Sequence, residues 1–342
     1  MNENNCTITS MEVLATIIIP AFRRTRYVGD AIRSALAQTL QNIEIIVVDD
    51  SDSEDIKNIC YSFEDARLTY RSNKIRLGVL VSCNNAVSES NGQYITVLND
   101  DDLIAPEFLE RSVNIMENNP HLALIFCDHW IIDEYGIIQN ELSDSNTTYW
   151  HRDYLAEGEL KNPVEALFNG SISVGSTSVF RKSLINTSMA YKDVGVCADL
   201  WMACVYVHSQ LPIYYIPDRL ASYRVHGDSE TNGGTPRLPD SERFIYNFLI
   251  QEQWFPDKNA LINKRIVDAI FRGAKARLIS GNRKEASGLF VLCAKKYRSI
   301  RCIIGFVLCK FPHSFVMRFF SWKRKDFYST LRSRNPNRSP RS

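Results

Sequence analysis

The stretch Ile43-Glu44-Ile45-Ile46-Val47-Val48-Asp49-Asp50-Ser51 decides the fold class of this chain. Its apolar run, bounded by turn-forming residues, is typical of a buried strand. A second run, Tyr94-Ile95-Thr96-Val97-Leu98, is followed in the same way by Asn99-Asp100-Asp101-Asp102. Ligands of open α/β sheets bind at the carboxyl ends of strands, so two acidic clusters there predict a divalent cation and the anion that it carries. Asp and Ser also favour turns and helix caps, which explains one such cluster better than two.

Strand-like and helix-like segments alternate around these runs, which predicts βαβ units and a mostly parallel sheet. The predicted strands are 16–19, 43–48, 67–70, 94–98, 122–127, 176–180, 213–216 and 220–225. The predicted helices are 28–38, 54–63, 79–89, 106–117, 163–168, 199–208, 241–254, 259–280 and 283–298, with a hairpin over 131–139. The polar, turn-rich segments 141–159 and 227–239 are expected to be mobile loops.

Length and composition indicate a globular protein with one large or two modest domains, since 45% of the 342 residues are hydrophobic. Nine cysteines are scattered without the paired spacing of metal sites, which is typical of reduced cysteines. Residues 1–12 are polar and lack the apolar core of a secretory signal. We therefore expect a cytoplasmic protein.

The net charge of +1 conceals a basic C-terminal segment, because residues 295–342 contain 13 Lys and Arg and one acid, Asp326. This segment carries +12 and the rest of the chain −11. Residues 300–320 are apolar but too interrupted by charges and proline to span a bilayer. Basic residues interleaved with aromatic and aliphatic ones suit an interfacial helix on the inner face of the cell membrane. A last helix packed on the body explains the pattern equally well, and we expect no nucleic-acid partner.

Six ordered motifs between residue 16 and about residue 229 resemble the family 2 glycosyltransferases. They are Ile17-Ile18-Ile19-Pro20-Ala21-Phe22-Arg23-Arg24, Ser34-Ala35-Leu36-Ala37-Gln38-Thr39, Glu44-Ile45-Ile46-Val47-Val48-Asp49-Asp50-Ser51, Gly92-Gln93-Tyr94-Ile95, Leu98-Asn99-Asp100-Asp101-Asp102 and Tyr223-Arg224-Val225-His226-Gly227. The resemblance implies an α/β protein of GT-A fold, whose Rossmann-like, mostly parallel central sheet is flanked by helices and followed here by a helical C-terminal extension. It also implies inverting transfer from a nucleotide-diphosphate sugar.

The chain is expected to divide into three parts. Residues 1–14 are expected to be a disordered start, and residues 15–238 the transferase domain, with a nucleotide-binding half (15–128) and an acceptor half (129–238). Residues 239–342 are expected to form a helical C-terminal region with the basic tail. The acceptor pocket is expected from residues 147–159 and the 170s, and a saccharide or lipid-linked saccharide is the expected acceptor.

The nucleotide contacts that the resemblance implies begin with Pro20 and Phe22, which follow the first strand. An aromatic ring there can stack on uracil, which is worth about 1–3 kcal/mol, although Phe22 replaces the more usual Tyr and a core aromatic is the alternative. Asp50 would accept a hydrogen bond from uracil N3–H, a donor that cytosine lacks. These residues favour a UDP-sugar as donor.

The implied metal motif is Asp100 and Asp101, which with phosphate oxygens would hold Mn²⁺ or Mg²⁺. Asp101 is the expected ligand, and Asp100 a ribose contact or second ligand. Asn99 stands where the family often has Asp, and Asp102 is expected to cap a helix.

The implied general base is Asp199, which begins a helix about a hundred residues after the metal motif, with Asp193 as the next candidate. Its alternative is an ordinary first-turn or cap residue. Arg224 is expected to contact the donor diphosphate and His226 the metal, although a lone histidine is often structural.

Two other functions fit parts of the pattern. A sugar-phosphate nucleotidyltransferase would need a glycine-rich, basic loop after the first strand, where this chain reads Pro20-Ala21-Phe22-Arg23-Arg24. A nucleotide-sugar binding or scaffolding module without catalysis is the alternative from a different class, and the presence of Asp101 and Asp199 argues against it.

Overall fold

The computed structural model describes residues 12–185, 191–227 and 235–321. Most of the expected disordered start, much of the expected loop at 227–239 and the end of the basic tail lie outside these residues. Leu14, directly before β1, is held by backbone hydrogen bonds, because its N–H donates to the carbonyl of Asn42 (2.8 Å) and its own carbonyl accepts from the N–H of Gln93.

The first half of the chain forms four parallel strands joined by helices. Their bounds are β1 (Ala15–Ala21), α1 (Val28–Leu36), β2 (Ile43–Asp49), α2 (Glu54–Tyr61), β3 (Leu68–Ser72), α3 (Val79–Glu89) and β4 (Tyr94–Val97). The second half contributes β5 (Leu103–Ile104), α4 (Phe108–Asn118), β6 (Leu124–Ile132), α5 (Asn140–Tyr149), β7 (Gly158–Glu159), α6 (Pro163–Asn169), β8 (Ser178–Arg181), α7 (Ala198–His208) and β9 (Ile213–Arg224). The part of the chain described after β9 adds the α-helices α8 (Arg237–Gln251), α9 (Asn259–Ile279), α10 (Arg283–Tyr297), α11 (Ile300–Leu308) and α12 (His313–Ser321).

Within the described residues the strands form one sheet in the order β3-β2-β1-β4-β8-β6-β9-β5, with β7 paired to β9. The long pairings, β1 with β2 and β6 with β9, are parallel, and the antiparallel pairs are short. The predicted α/β class with a mostly parallel sheet and following helices is therefore confirmed. No helix in residues 12–185, 191–227 and 235–321 is long and apolar enough to cross a bilayer.

Strand β1 is apolar except at Thr16 because helices cover both faces of the sheet. Alternate side chains of a strand point to opposite faces. Ile17 and Ile19 accordingly enter the core beneath α1 and α4, whereas Ile18 enters the core beneath α3. At the start of the strand, a Cβ at position 92 would lie 2.6 Å from the backbone nitrogen of Thr16, so only Gly92 permits this approach.

The helices after β9 share a core with the α/β body. Trp201 of α7 is fully buried, and its ring lies 5.0 Å from Phe248 of α8 and 5.5 Å from Trp254. Helix α8 begins at Arg237, earlier than predicted and inside the segment expected to be a loop. The helical region therefore packs directly on the body through α8.

The prediction of a mobile loop at 141–159 is wrong, because most of this segment is ordered as α5, a 3-10 turn and β7. Its polar side chains are anchored by buried partners. Asp128 of β6 accepts hydrogen bonds from Thr147 (2.6 Å) and from the guanidinium of Arg152 (2.8 Å), which is itself buried. Polar composition suggested solvent exposure, but an internal ion pair holds the segment in place.

The two strands predicted at 213–216 and 220–225 form one continuous strand, β9. The intervening Pro217 and Asp218 looked like a turn, but they are accommodated as an irregularity where the pairing with β6 shifts register between Cys127 and His129. Such a bulge absorbs extra residues without ending the strand.

Candidate functional site

A cleft of about 1360 Å³ lies along the carboxyl ends of β1, β2 and β4 and is closed on its far side by the starts of α7 and α8. The predicted site residues that line it are Pro20, Phe22, Asp50, Asp100, Asp101, Asp193 and Asp199. The sheet topology brings these residues together from distant parts of the sequence. The two remaining predicted residues, Arg224 and His226, lie behind the lining at the end of β9.

The two aspartates that end β2 have different tasks. Asp49 is fully buried and holds the turn into α2, because its carboxylate accepts from the N–H of Ser51 (2.8 Å) and of Ser53 (2.6 Å). Asp50 faces the cleft and organises the segment before α3. Its Oδ1 accepts from the N–H of Leu77 (2.8 Å), and its Oδ2 accepts from the N–H of Gly78 (2.8 Å).

Three donors converge on Asp50 Oδ1, since the Asn73 amide and the Ser82 hydroxyl each lie 3.1 Å away in addition to the Leu77 N–H. The other oxygen, Oδ2, accepts only the Gly78 N–H among the contacts of the described residues. A carboxylate oxygen can accept two hydrogen bonds. Asp50 therefore keeps one acceptor position for a donor on a ligand in the cleft.

The ring of Phe22 is partly exposed at the cleft, next to the guanidinium of Arg76, whose centre lies 4.0 Å from the ring centroid. This distance is typical of a cation–π contact. Arg76 precedes the Leu77 and Gly78 amides that bind Asp50, so the stacked pair and the carboxylate belong to one local structure. Arg76 received no role from the sequence, because no motif marks it.

Arg24 forms the electrostatic centre of the cleft. Its guanidinium makes a two-pronged contact with Asp100 and also donates from Nη1 to Asp101 Oδ2 (2.7 Å). Burial raises the pKa of Asp100 to about 6, and the charge of Arg24 counteracts part of this rise. For Arg24, burial acts to lower the pKa, but the two carboxylates outweigh it and the pKa is raised. Arg24 belongs to a motif of the sequence, but the motif did not predict that Arg24 pairs with Asp100 and Asp101.

His226 approaches the acidic motif from the other side, with Nε2 3.0 Å from Asp101 Oδ2. Its ring packs on Tyr27 at 4.8 Å and is almost fully buried. Within residues 12–185, 191–227 and 235–321, no group of three or more His, Cys, Asp or Glu side chains is arranged to hold a metal ion. A cation at Asp101 and His226 would therefore need oxygens from a ligand.

Asp102 is buried and links the motif to two other parts of the fold. Its carboxylate accepts from Asn99 Nδ2 (2.9 Å), Ser176 Oγ (2.7 Å) and the backbone N–H of Arg224 (3.0 Å). Burial and the neighbouring carboxylate of Asp101 raise its pKa to about 7. The prediction that Asp102 caps a helix is wrong, because the chain enters β5 here and α4 begins only later.

Arg224 supports the motif from behind and does not line the cleft. Its side chain is 2% exposed, and Nε donates to the backbone carbonyl of Asp101 (2.8 Å). The guanidinium also pairs with Asp30 at 3.3 Å and lies 4.6 Å from the ring of Tyr27. These contacts direct the Arg224 guanidinium to protein groups rather than to the cleft where a diphosphate contact was predicted. They favour a role for Arg224 in holding Asp101 in position.

Asp199 lies in the first turn of α7, on the far wall of the cleft. Desolvation by the surrounding walls raises its pKa, and hydrogen bonds from the N–H groups of Leu200 and of Asp199 itself counteract part of the rise. The negative charge of Glu242 also raises the pKa of Asp199. The raised pKa suits a proton acceptor and the backbone contacts suit a helix-terminal residue. Asp193 lies on the same wall and is exposed.

The rest of the far wall comes from the segment 173–175 and from α8. Of the residues expected at the acceptor pocket, Ser173, Val174 and Gly175 line this cleft, and α8 contributes Arg243, Phe244 and Asn247, which sequence reasoning missed. Residues 147–159 do not line this cleft. Thr147, Arg152, Asp153 and Leu155 instead line a separate cavity of about 730 Å³.

Residues 16–186 match the sequence model of the family described as glycosyl transferase family 2. An uncharacterised glycosyltransferase of Rickettsia typhi is 27% identical over 247 residues, which cover 69% of this chain and 71% of that protein. A UDP-Glc:α-D-GlcNAc-diphosphoundecaprenol β-1,3-glucosyltransferase of Escherichia coli is 26% identical over 138 residues, which cover 40% of this chain and 54% of that protein.

Two solved structures share the fold. Residues 1–349 of S. aureus TarS in complex with UDP-GlcNAc superpose with a TM-score of 0.57 at 13% identity, covering 87% of this chain and 90% of that one. A mannosyltransferase from Pyrobaculum calidifontis in complex with GDP-Man and Mn²⁺ superposes with a TM-score of 0.53 at 14% identity. The superposition covers 93% of this chain and 89% of the mannosyltransferase. These similarities confirm the GT-A fold, and the sequence match over half of its length shows that the chain belongs to glycosyl transferase family 2.

Proposed function

We propose that this transferase is an inverting, metal-assisted enzyme that moves a sugar from a UDP-sugar to a hydroxyl of a saccharide or lipid-linked saccharide. The observation that carries the proposal is the shared cleft of Phe22, Asp50 and Asp101 on one wall and Asp199 on the other. The nucleotide would lie along the strand ends of residues 15–128. The acceptor would lie against the wall built by residues 129–238 and α8.

The free acceptor position of Asp50 Oδ2 supports recognition of a uracil N3–H, and the partly exposed ring of Phe22 at the cleft supports stacking of the base. The E. coli relative is named for the donor UDP-Glc, and the TarS structure holds UDP-GlcNAc. The Pyrobaculum neighbour binds GDP-Man, so the choice of base in this chain needs its own test.

Asp101 and His226 fit a divalent cation, because a carboxylate oxygen and an imidazole nitrogen converge to 3.0 Å at the edge of the cleft. Few protein ligands suffice when phosphate oxygens complete the coordination. When bound, Mn²⁺ or Mg²⁺ would offset the negative charge on the departing diphosphate. Asp100, which Arg24 holds by two contacts, would serve the donor as a ribose contact.

Asp199 would take the proton of the acceptor hydroxyl. At the same time the hydroxyl oxygen would form a bond to the anomeric carbon of the donor, and the bond between that carbon and the diphosphate would break. Attack from the wall opposite the nucleotide inverts the anomeric configuration. The raised pKa of Asp199 makes it a stronger proton acceptor than an ordinary aspartate.

Screening UDP-, dTDP- and GDP-sugars for slow hydrolysis, with thermal shift on the same panel, tests the donor assignment. A UDP-sugar should be turned over and should raise the melting temperature. Stabilisation by UDP-sugars with neither hydrolysis nor transfer to any acceptor would favour the non-catalytic binding module instead.

A further inference from the structure

The last two described helices expose an apolar face that the cleft does not use. We name it the C-terminal apolar face and define it by eight exposed side chains: Ile300, Ile303, Ile304, Val307, Phe311, Phe315, Met317 and Phe319. Four of them recur on α11 at i, i+3, i+4 and i+7, which aligns them along one side of the helix. Exposure of Ile300 reaches 72% and that of Ile304 50%.

The opposite side of α11 is apolar as well, and it is this side that packs on the body. Cys302 and Leu308 are buried, and Gly305 sits so close to Phe290 of α10 that an added Cβ would lie 2.4 Å from the ring. The orientation of α11 is therefore fixed by its packing. The outward stripe cannot be buried by a simple rotation of the helix.

The sequence that carries and follows this face is basic. Residues 295–342 carry +12, and the part that follows α12, residues 322–342, contains seven Lys and Arg with one Asp. Lys310 lies beside the Phe306 ring at 5.4 Å. An apolar helical stripe of this kind, followed by a polybasic segment, is typical of a protein element that lies in the plane of an anionic bilayer.

We propose that the C-terminal apolar face docks on an anionic lipid surface, with the α11 stripe inserted at the boundary of headgroups and acyl chains and the basic segment held by the headgroups. A second copy of the chain fits the face less well, because pairing two strongly basic surfaces brings like charges together. The same repulsion is absent against an anionic membrane. Docking here is independent of the assignment of donor, metal and base.

The test uses the full chain and vesicles of phosphatidylcholine with or without phosphatidylglycerol. The double variant Ile303→Ser/Ile304→Ser removes two half-exposed isoleucines from the stripe. The matched control, Ile137→Ser/Ile138→Ser, removes two isoleucines of similar exposure, 61% and 45%, from the 131–139 hairpin. Both variants should keep the wild-type melting temperature, because the replaced side chains are exposed.

Wild type and control should cosediment with the anionic vesicles and lose binding at high salt. The double variant should show a fall of at least about tenfold in its partition coefficient. Three results would overturn the proposal: equal binding of the double variant and wild type, equal binding to vesicles with and without phosphatidylglycerol, or a wild-type dimer in solution that the double variant dissociates. UDP affinity, measured in parallel without lipid, reports on the proposed function separately.

Discussion

Arg24 and Asp101 form a direct ion pair, with Nη1 2.7 Å from the carboxylate Oδ2 that His226 also contacts. The positive charge of Arg24 therefore lies next to the carboxylate oxygen that would bind a divalent cation. Two adjacent carboxylates repel each other unless a positive charge is near. We infer that Arg24 provides this charge before the donor and its cation arrive, and that cation binding competes with it for Asp101.

The first prediction concerns this competition. Arg24→Gln should bind Mn²⁺ more tightly than wild type at saturating UDP, whose phosphate oxygens complete the coordination, because Asp101 loses a competing cation. Electron paramagnetic resonance of free Mn²⁺ measures the affinity, and Arg24→Lys is the matched control that keeps the charge. Unchanged or weaker Mn²⁺ binding in Arg24→Gln would contradict the competition.

The second prediction concerns the metal itself. Asp101→Ala should abolish sugar transfer and weaken donor binding while the fold stays intact, because the proposed ligand is removed and its backbone position is still held by Arg224. Transfer assays with and without excess EDTA, followed by added Mn²⁺ or Mg²⁺, check the same point in wild type. Full activity in EDTA would exclude a required cation.

The third prediction concerns recognition of the base. Asp50→Asn should raise the UDP dissociation constant about tenfold or more, since hydrogen bonds to charged groups are worth about 1.5–3 kcal/mol. Calorimetry with UDP measures it. Ser82→Ala is the control, because it removes a donor to Asp50 without changing the carboxylate. If GDP competes as well as UDP for the wild-type site, the assignment of Asp50 is wrong.

The fourth prediction is a pH dependence of stability from Asp102. Its folded-state pKa of about 7 lies above the ordinary value of 3.8, so the folded state binds more protons than the unfolded state between these two values. Stability from this group is therefore present at low pH and is lost as pH rises through that window. The stability difference between wild type and Asp102→Asn, measured by urea unfolding, should shrink from pH 5 to pH 8. A pH-independent difference would contradict the raised pKa.

The strands and the acidic residues at their ends were predictable because both signals are local. Asp50 and Asp101 each lie within three residues of the end of an apolar run, and parallel strands place their ends at one edge of the sheet. The different roles of Asp49 and Asp50 were not predictable from the sequence. They depend on the backbone N–H groups of Leu77 and Gly78, which lie far along the chain, after β3, and donate to Asp50 in the folded protein.

Side-chain direction and long-range pairing account for what the sequence did not reveal. Arg224 stands in a family motif, but its guanidinium turns to the Asp101 carbonyl and away from the cleft. Helix α5 is polar in composition and is ordered by the buried Asp128 and Arg152 pair, which no periodicity indicates. Asn99 departs from the family's frequent Asp, and the structure gives a reason, because its amide donates to Asp102.

The fifth prediction concerns Asp199, whose role as base is the centre of the proposed mechanism. Asp199→Asn keeps the size of the side chain and its ability to cap a helix but cannot accept a proton. Removal of a general base typically costs about 10² to 10⁴ in rate, whereas loss of a cap costs about 1 kcal/mol of stability. The acid limb of the wild-type pH–rate profile should also lie above the ordinary Asp pKa, because desolvation raises that of Asp199.

The most direct measurement is the turnover number of Asp199→Asn with the donor found by the panel, taken together with its UDP affinity and melting temperature. We expect turnover to fall by about 10² or more, with affinity and melting temperature close to those of wild type. Near-normal turnover would contradict the account, return Asp199 to a structural role at the start of α7, and make Asp193 the next carboxylate to test.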